Sequence, residues 1–337
     1  MYRLELENMG PIERGSVEFD NRPIIFYGPN NSGKSTTIRV LDRILAFGSL
    51  DATVPIRDLC LLVNFDKDNS NAILSDGAHS SELILEKVRE SQGKLRITFK
   101  YDGNEVKSES NCSEGSLPFR AIGNKPYAII TISWGSIRIS PSSSMNNEIH
   151  FGNIVSIESL VGNILKRSYT QEDLGKLYLT YLEYLNDIVT GIEPRYRLRA
   201  VGVTPCLTDI YDNKKMICNE EFISTGIRQL SLIASALSMA RILSDIGEAV
   251  FVYIDTAEFG LHVDYLSGLF GLLSDEEYGF PIIMETHNGL IPLLAIKKKA
   301  TVYVFKEGTI KEIKSINELS DIDLFEEEHE AYMEVSS

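Results

Sequence analysis

Residues 23–27, Pro-Ile-Ile-Phe-Tyr, form a short apolar run of the kind that makes a strand buried on both faces. After the loop at 28–34, Ile38, Leu41, Ile44 and Leu45 recur three or four residues apart, which predicts a helix with one buried stripe. Strand, glycine loop and helix are thus the first unit of the chain. Ahead of it, LELENMGPIERGSVEF predicts two short strands around a Gly-Pro turn. Between 82 and 139 the period falls to two. Leu95, Ile97, Phe99 and Tyr101 alternate with polar partners, Asp102-Gly103 marks a turn, and YAIITISW (127–134) is a further strand, so this region reads as an antiparallel β insertion. SPSSSMNN (140–147) is a linker by composition. Helical spacing returns at Ile154, Ile157, Val161, Ile164 and Leu165. A second helix is expected from about Thr170, which forms a capping box with Asp173, through LYLTYLEYLNDIV. Its apolar and tyrosine stripe predicts core packing rather than a ligand cage. RYRLRAVGV and the turn at DNKK suggest further strands, and a helix follows from about 225 with Leu230, Ile233, Leu237 and Ala240 in register. Two more apolar strands, AVFVYID and PIIMETH, precede VYVFKEGTIKEI.

Composition narrows the class without naming a chemistry. The 337 residues are 43% hydrophobic and 24% charged, ordinary for a globular protein, and no run reaches the ~18 apolar residues of a membrane helix. The start MYRLELENMGP is charged rather than signal-like, so the expected location is cytoplasmic, with no membrane partner. The formal charge is −15, and ELSDIDLFEEEHEAYMEVSS at the end holds eight acidic residues with no Lys or Arg. That tail is read as solvated, with docking on a basic partner as the sharper alternative. Nucleic acid stays open as a partner through a local basic groove, but the acidic balance does not support broad binding. Cys60, Cys112, Cys206 and Cys218 lack zinc-ligand spacing and are expected as free thiols.

The chemistry enters with GPNNSGKST, residues 28–36, a full G-x-x-x-x-G-K-[ST] phosphate loop between a predicted strand and a predicted helix. Gly28, Asn30, Asn31, Ser32, Gly33, Lys34, Ser35 and Thr36 are the expected nucleotide-binding residues. Inward backbone N–H groups cradle phosphate, Lys34 neutralises the β/γ oxygens, and Ser35 offers its hydroxyl to Mg²⁺. ATP and Mg²⁺ are the expected cofactors. Further on, Ser224 and Gly226 in FISTGI open a helix and could present its free N–H groups to an anion, although an ordinary serine cap explains Ser224 equally. The strands AVFVYID and PIIMETH would release Asp255 and His287 at one carboxyl edge of a parallel sheet. There Asp255 would hold the metal through water and His287 would sense the γ-phosphate.

The order GPNNSGKST, ISTG, YIDTAEFGLH, METHN resembles the ABC-type ATPase superclass, in its soluble branch of RecF, SMC-like and OLD-like ATPases; ENMGPI and EFGLH strengthen the resemblance. It implies an α/β P-loop NTPase head with a mixed or parallel sheet flanked by helices. The head would be discontinuous, 1–62 and 200–315, with a β insertion at 63–147, a helical insertion at 148–199 and an acidic tail at 316–337. It further implies a homodimer sandwiching two ATPs, in which Ser224 and Gly226 meet the γ-phosphate held by the other copy. The chain departs from the pattern in its signature, ISTGI rather than L-S-G-G-Q, and in lacking an assignable Q-loop glutamine. Without coiled-coil arms or a nuclease domain, an isolated head acting on a separate effector protein is expected.

Thr256 stands where the family places the glutamate that activates water. A threonine hydroxyl cannot accept a proton near neutral pH, so slow turnover is expected. Glu258, two residues on, is either that base, a structural or dimer-contact residue, or a passive surface group. The expected catalytic set is Lys34, Asp255, Glu258 and His287, with Ser35 and Asp255 on the metal. The expected function is a slow ATPase that dimerises around ATP and signals to a partner, placed by resemblance in prokaryotic antiviral defence or DNA repair and maintenance. The alternatives are a non-hydrolysing ATP-gated scaffold or sensor and, further off, a P-loop kinase or transferase.

Overall fold

The computed structural model describes residues 1–48, 53–64, 66–88, 94–112, 116–118, 127–133, 136–140, 148–150, 171–201, 204–212, 215–217, 224–275 and 278–320. The expected helix at 154–165, residues 141–147 of the expected 140–147 linker, Thr170 of the capping box and the tail beyond 320 lie outside them, while Ser140 ends a strand. The chain forms two compact units, residues 1–127 with 285–337 and residues 128–284.

The first unit opens with β1 (Tyr2–Met9), β2 (Ile12–Phe19) and β3 (Pro23–Tyr27), then α1 (Lys34–Gly48), β4 (Thr53–Pro55) and α2 (Ile56–Cys60). Four antiparallel strands follow, β5 (Asn69–Ser75), β6 (Ser80–Lys87), β7 (Lys94–Tyr101) and β8 (Asn104–Asn111), and then β9 (Ser116–Pro118). The second unit carries β10 (Tyr127–Ser133), β11 (Ser136–Ser140), β12 (Glu148–His150), α3 (Gln171–Ile192), β13 (Tyr196–Val201), β14 (Thr204–Asp209) and β15 (Lys215–Ile217). It continues with α4 (Thr225–Asp245), β16 (Ala249–Ile254), α5 (Val263–Asp275) and most of β17 (Ile282–Thr286). The chain returns to the first unit for α6 (Leu290–Lys297), β18 (Thr301–Lys306), β19 (Thr309–Ile313) and α7 (Ile316–Ser320).

In the first unit the strands run β3-β18-β19-β2-β1-β5-β6-β7-β8. β3 and β18 are parallel and β1 pairs antiparallel with both β2 and β5, so the sheet is mixed, as expected. All five residues of β3 are buried, which is why its sequence shows no alternation. The predicted stripe of α1 is buried at Ile38, Leu41 and Ile44, with Val40 and Phe47 beside it. Leu45 is only half-buried, at the margin of that stripe. β5 to β8 add to the edge of β1 with Leu83, Leu85, Leu95, Ile97 and Phe99 inward, and Phe99 stacks on Phe47 of α1. Asp102 and Gly103 take φ of 45° and 85°, the left-handed pair that a tight hairpin turn requires.

The expectation of free thiols is corrected at Cys60, Cys112 and Cys206, while Cys218 lies outside the described residues. Cys60 and Cys112 form a disulfide across 52 residues of sequence, with Cα atoms 5.9 Å apart, and Cys206 is disulfide-bonded as well. Spacing gave no hint of this because the hairpins of β5 to β8 carry the chain away and back. The antiparallel pairing of β4 with β9 then brings the flanks of Cys60 and Cys112 together.

In the second unit α4 is buried on nearly all sides, Leu232, Ala236 and Met239 as well as the predicted Leu230, Ile233, Leu237 and Ala240, because it packs against both α3 and β16. The α3 stripe of Tyr181, Leu185, Ile188 and Val189 is core, and burial pushes the Tyr181 phenol up to about 12. β16 and β17 are parallel with Ile254 level with Met284, so both strands end at one carboxyl edge.

Candidate functional site

The phosphate loop is shaped by what presses on it. Gly28 and Gly33 have φ of 151° and 108°. A Cβ on Gly28 would sit 2.3 Å from the Phe305 carbonyl oxygen of β18, and one on Gly33 would sit 2.4 Å from Ile12, so neither place admits a side chain. Ile12 and Gly10 belong to the ENMGPI phrase, and the same turn approaches Thr36. The phrase therefore braces the loop from outside, a mechanical reason for its presence.

Inside the loop Lys34 is 3% exposed. Its Nζ donates to the carbonyls of Gly28 and Pro29, each at 2.7 Å, and stands 3.7 Å from Glu285 Oε1. Ser35 Oγ donates to Glu285 Oε2 at 2.9 Å. His287 Nδ1 lies 2.9 Å from the Gly28 carbonyl and 3.3 Å from Lys34 Nζ. An unprotonated nitrogen at 2.9 Å would set lone pair against lone pair, and Lys34 already has two carbonyl acceptors. Nδ1–H therefore donates to Gly28, and Nε2 stands 3.9 Å from Glu285 Oε1. Thr37 Oγ1 and N both donate to the Gly33 carbonyl, fastening the loop to the first turn of α1.

These groups surround a cavity of about 390 Å³ whose walls include Pro11, Asn30, Asn31, Ser32, Thr36 and Arg39. A buried ammonium, a helix N-terminus and small polar side chains around a cleft can neutralise and orient a polyphosphate. Ser35 Oγ and the Glu285 carboxylate are adjacent hard oxygen donors, the type Mg²⁺ takes together with phosphate oxygens. Among the described residues no group of three or more His, Cys, Asp or Glu could hold a metal ion on protein ligands alone.

Glu285 is the residue that sequence reasoning missed. It lies two positions before His287, and all five residues of β17 are buried. A glutamate inside such a strand is itself a signal, since unpaired buried carboxylates are rare. Arg39, one helical turn beyond Ser35, was missed too, for want of any motif around it.

The other expected site residues lie in the second unit. Ser224 is exposed and caps α4, its Oγ accepting from the Ile227 amide at 3.5 Å. A Cβ on Gly226 would meet both the Gly260 carbonyl and the Tyr265 ring at 3.2 Å, so glycine is favoured there by the packing of its own unit. Asp255 follows β16, with its N–H bonded to the Ile132 carbonyl. Its Oδ1 accepts from Thr256 Oγ1 at 3.2 Å. Thr256 has φ of 54°, a left-handed conformation that is strained for a β-branched side chain. The turn closes with Phe259 N–H on the Thr256 carbonyl and Leu261 N–H on that of Glu258, whose own side chain is half-buried. The structure thus gathers Gly28 to Thr36 with Glu285 and His287 in the first unit, and Ser224 and Gly226 with the Asp255–Glu258 turn in the second.

Comparison with known proteins bears on the family and the fold. A family model described as an AAA domain matches residues 3–182, more than half of the chain. Among solved structures, the SMC head domain from Thermotoga maritima superposes with a TM-score of 0.52 at 13% identity, covering 92% of this chain and 97% of that one. An SMC head bound to the C-terminal winged-helix domain of ScpA gives 0.55 at 14% identity, with 92% and 96% covered. At such identities the likeness is one of fold, that of an ABC-type head. No curated protein sequence matches the chain.

Proposed function

The chain belongs to the AAA-domain family, and on that premise we propose that it is an ATP-binding, slowly hydrolysing ABC-type head that dimerises around ATP and passes that state to a separate effector protein. The observation that carries the reading is the buried Lys34 ammonium at the floor of a braced phosphate loop, with the Ser35 hydroxyl against a carboxylate. In this reading Lys34 neutralises the β/γ oxygens, and the loop amides from Asn30 to Thr36 orient them. Mg²⁺, held by Ser35 and through water by Asp255, would supply charge neutralisation at those oxygens. His287, its Nδ1 2.9 Å from the Gly28 carbonyl, is a sensor at the γ-phosphate end. Ser224 and Gly226 of one copy close on the γ-phosphate of the other.

Thr256 limits the rate because it cannot take a proton from water. Glu258 is the carboxylate of that turn available as base, and its replacement by Gln decides between that role and a structural one. An ATP-gated scaffold is the second reading, favoured by Thr256 itself. The solved SMC head with ScpA supports the notion of a head that binds a partner protein. Antiviral defence or DNA maintenance is the setting we propose.

Product analysis tests the reading. Free phosphate released slowly from ATP, together with a sedimentation shift from monomer to dimer on adding ATP, is the expected result. ATP retained intact in the dimer selects the scaffold, and a phosphorylated acceptor in place of free phosphate would replace both with a transferase.

A further inference from the structure

Glu285 sets a negative charge into the wall of a phosphate cradle. It is 4% exposed, and it borders the same cavity as Asn30 to Ser35. Two like charges about 4 Å apart repel by roughly 4 kcal/mol at the effective dielectric of a partly buried site. A site selected only to bind a polyphosphate would not place a carboxylate there. Neutralising Lys34 accounts for only part of the arrangement of Glu285. Lys34 Nζ makes its short bonds to the Gly28 and Pro29 carbonyls at 2.7 Å, while Glu285 Oε1 is 3.7 Å away. The short bond of Glu285 goes instead to Ser35 Oγ at 2.9 Å. Its carboxylate is therefore turned toward the hydroxyl that the phosphate-loop reading gives to the cation.

A bound divalent cation reverses the sign of this arrangement. Mg²⁺ usually keeps several waters and takes one or two carboxylates plus the phosphates of its nucleotide, so one glutamate and one serine hydroxyl are a sufficient protein contribution. The first unit supplies both from adjacent elements, the end of β17 and the first turn of α1. We propose that Glu285 is a cation-binding residue that makes nucleotide binding conditional on a divalent metal: it repels the bare triphosphate and attracts the metal complex. This rests on the reading of the loop as an ATP site.

The discriminating quantity is the ratio of nucleotide affinities with Mg²⁺ and with EDTA, measured on the full chain with a fluorescent N-methylanthraniloyl ATP. For wild type a strong Mg²⁺ preference is expected. In Glu285→Gln, affinity in EDTA should rise and affinity in Mg²⁺ should fall, so that the ratio drops by about tenfold or more, the equivalent of roughly 1.4 kcal/mol. A ratio unchanged in Glu285→Gln overturns the proposal, whether both affinities fall together, as for a structural residue, or turnover alone is lost, as for a general base. If the Gln variant fails to fold, Glu285→Asp keeps the charge and withdraws it by one methylene; its ratio should fall severalfold, and an unchanged ratio again overturns the proposal. Wild type that binds no nucleotide in either condition would instead refute the ATP site itself.

Discussion

The phosphate loop of the first unit and the Ser224 turn of the second both bring a glycine and a serine to the start of a long helix, yet they differ in how much of their chemistry is explained locally. At Ser224 and Gly226 each residue has a use in its own unit: the serine caps α4, and the glycine makes room for the Gly260 carbonyl and Tyr265. At Lys34 the local partners are two carbonyls and, at 3.7 Å, the Glu285 carboxylate, which is itself buried. Burying an ammonium costs several kcal/mol even when carbonyls receive it, and a turn that merely reversed the chain would not contain one. A motif therefore carries functional weight in proportion to what it costs the apo fold. The loop is costly, and the signature turn is nearly free.

The strongest way to break this contrast is at Lys34. Lys34→Ala should weaken ATP by roughly thirtyfold or more, the loss of about 2–5 kcal/mol seen when one partner of a buried charge pair is truncated. Titration calorimetry reads it, and near-normal affinity would remove the assignment of the site. At the second turn the aim is to separate cap from contact. Ser224→Asp retains a good N-cap oxygen and should leave the melting temperature unchanged, but it sets a negative charge where a partner's γ-phosphate would lie. ATP-dependent dimerisation should disappear in sedimentation while monomer ATP affinity holds. A dimer that survives both this change and Ser224→Arg leaves only the cap.

A smaller effect is expected beside Asp255. Asn tolerates the left-handed conformation better than Thr, so Thr256→Asn should stabilise the protein by about 1 kcal/mol in urea unfolding. A loss of stability would mean that the Thr256 hydroxyl bond to Asp255 outweighs the strain. Thr256→Glu should raise the rate of phosphate release, and no change in that rate would place the limit elsewhere.

The smallest effect is a pH dependence at Asp209 in the second unit. The Arg195 guanidinium donates to it at 2.6 and 2.9 Å, and the amides of Tyr211 and Asp212 add their bonds. These bonds, against the opposing effect of burial, hold its carboxyl at about 2. A depressed folded-state value stabilises the protein above the ordinary carboxylate range, near pH 4, and that contribution is lost as pH falls through about 2. Wild type should therefore lose more urea stability between pH 5 and about 2.5 than Asp209→Asn does; equal losses would show that this pair contributes nothing.

The elements legible in the sequence were those governed by local period. PIIFY, the Ile38–Ile44 stripe and the alternation at Leu95–Phe99 each state which face is buried, and the structure buries those faces. The same reasoning passed over Glu285 because PIIMETH was weighed by its last residue, and a carboxylate two places earlier in a buried strand gains meaning only when Ser35 is known to face it. The Cys60–Cys112 bond was invisible for a similar reason: it depends on where two hairpins return the chain, and cysteine spacing holds no record of that. α4 was predicted with one buried stripe, but a helix covered on two sides needs apolar residues all round, and only its neighbours reveal the second face.

The disulfide between Cys60 and Cys112, with β4 laid against β9, makes the intervening hairpins a closed covalent ring whose two stems meet. Such a ring behaves as a cassette. Its exposed turns can vary in length while the stems stay 5.9 Å apart at their Cα atoms, but its strands cannot, because Leu83, Leu95 and Phe99 are buried and Phe99 stacks on Phe47 of α1. A cut by protease at the Asp102-Gly103 turn would leave both fragments joined on a non-reducing gel and parted on a reducing one.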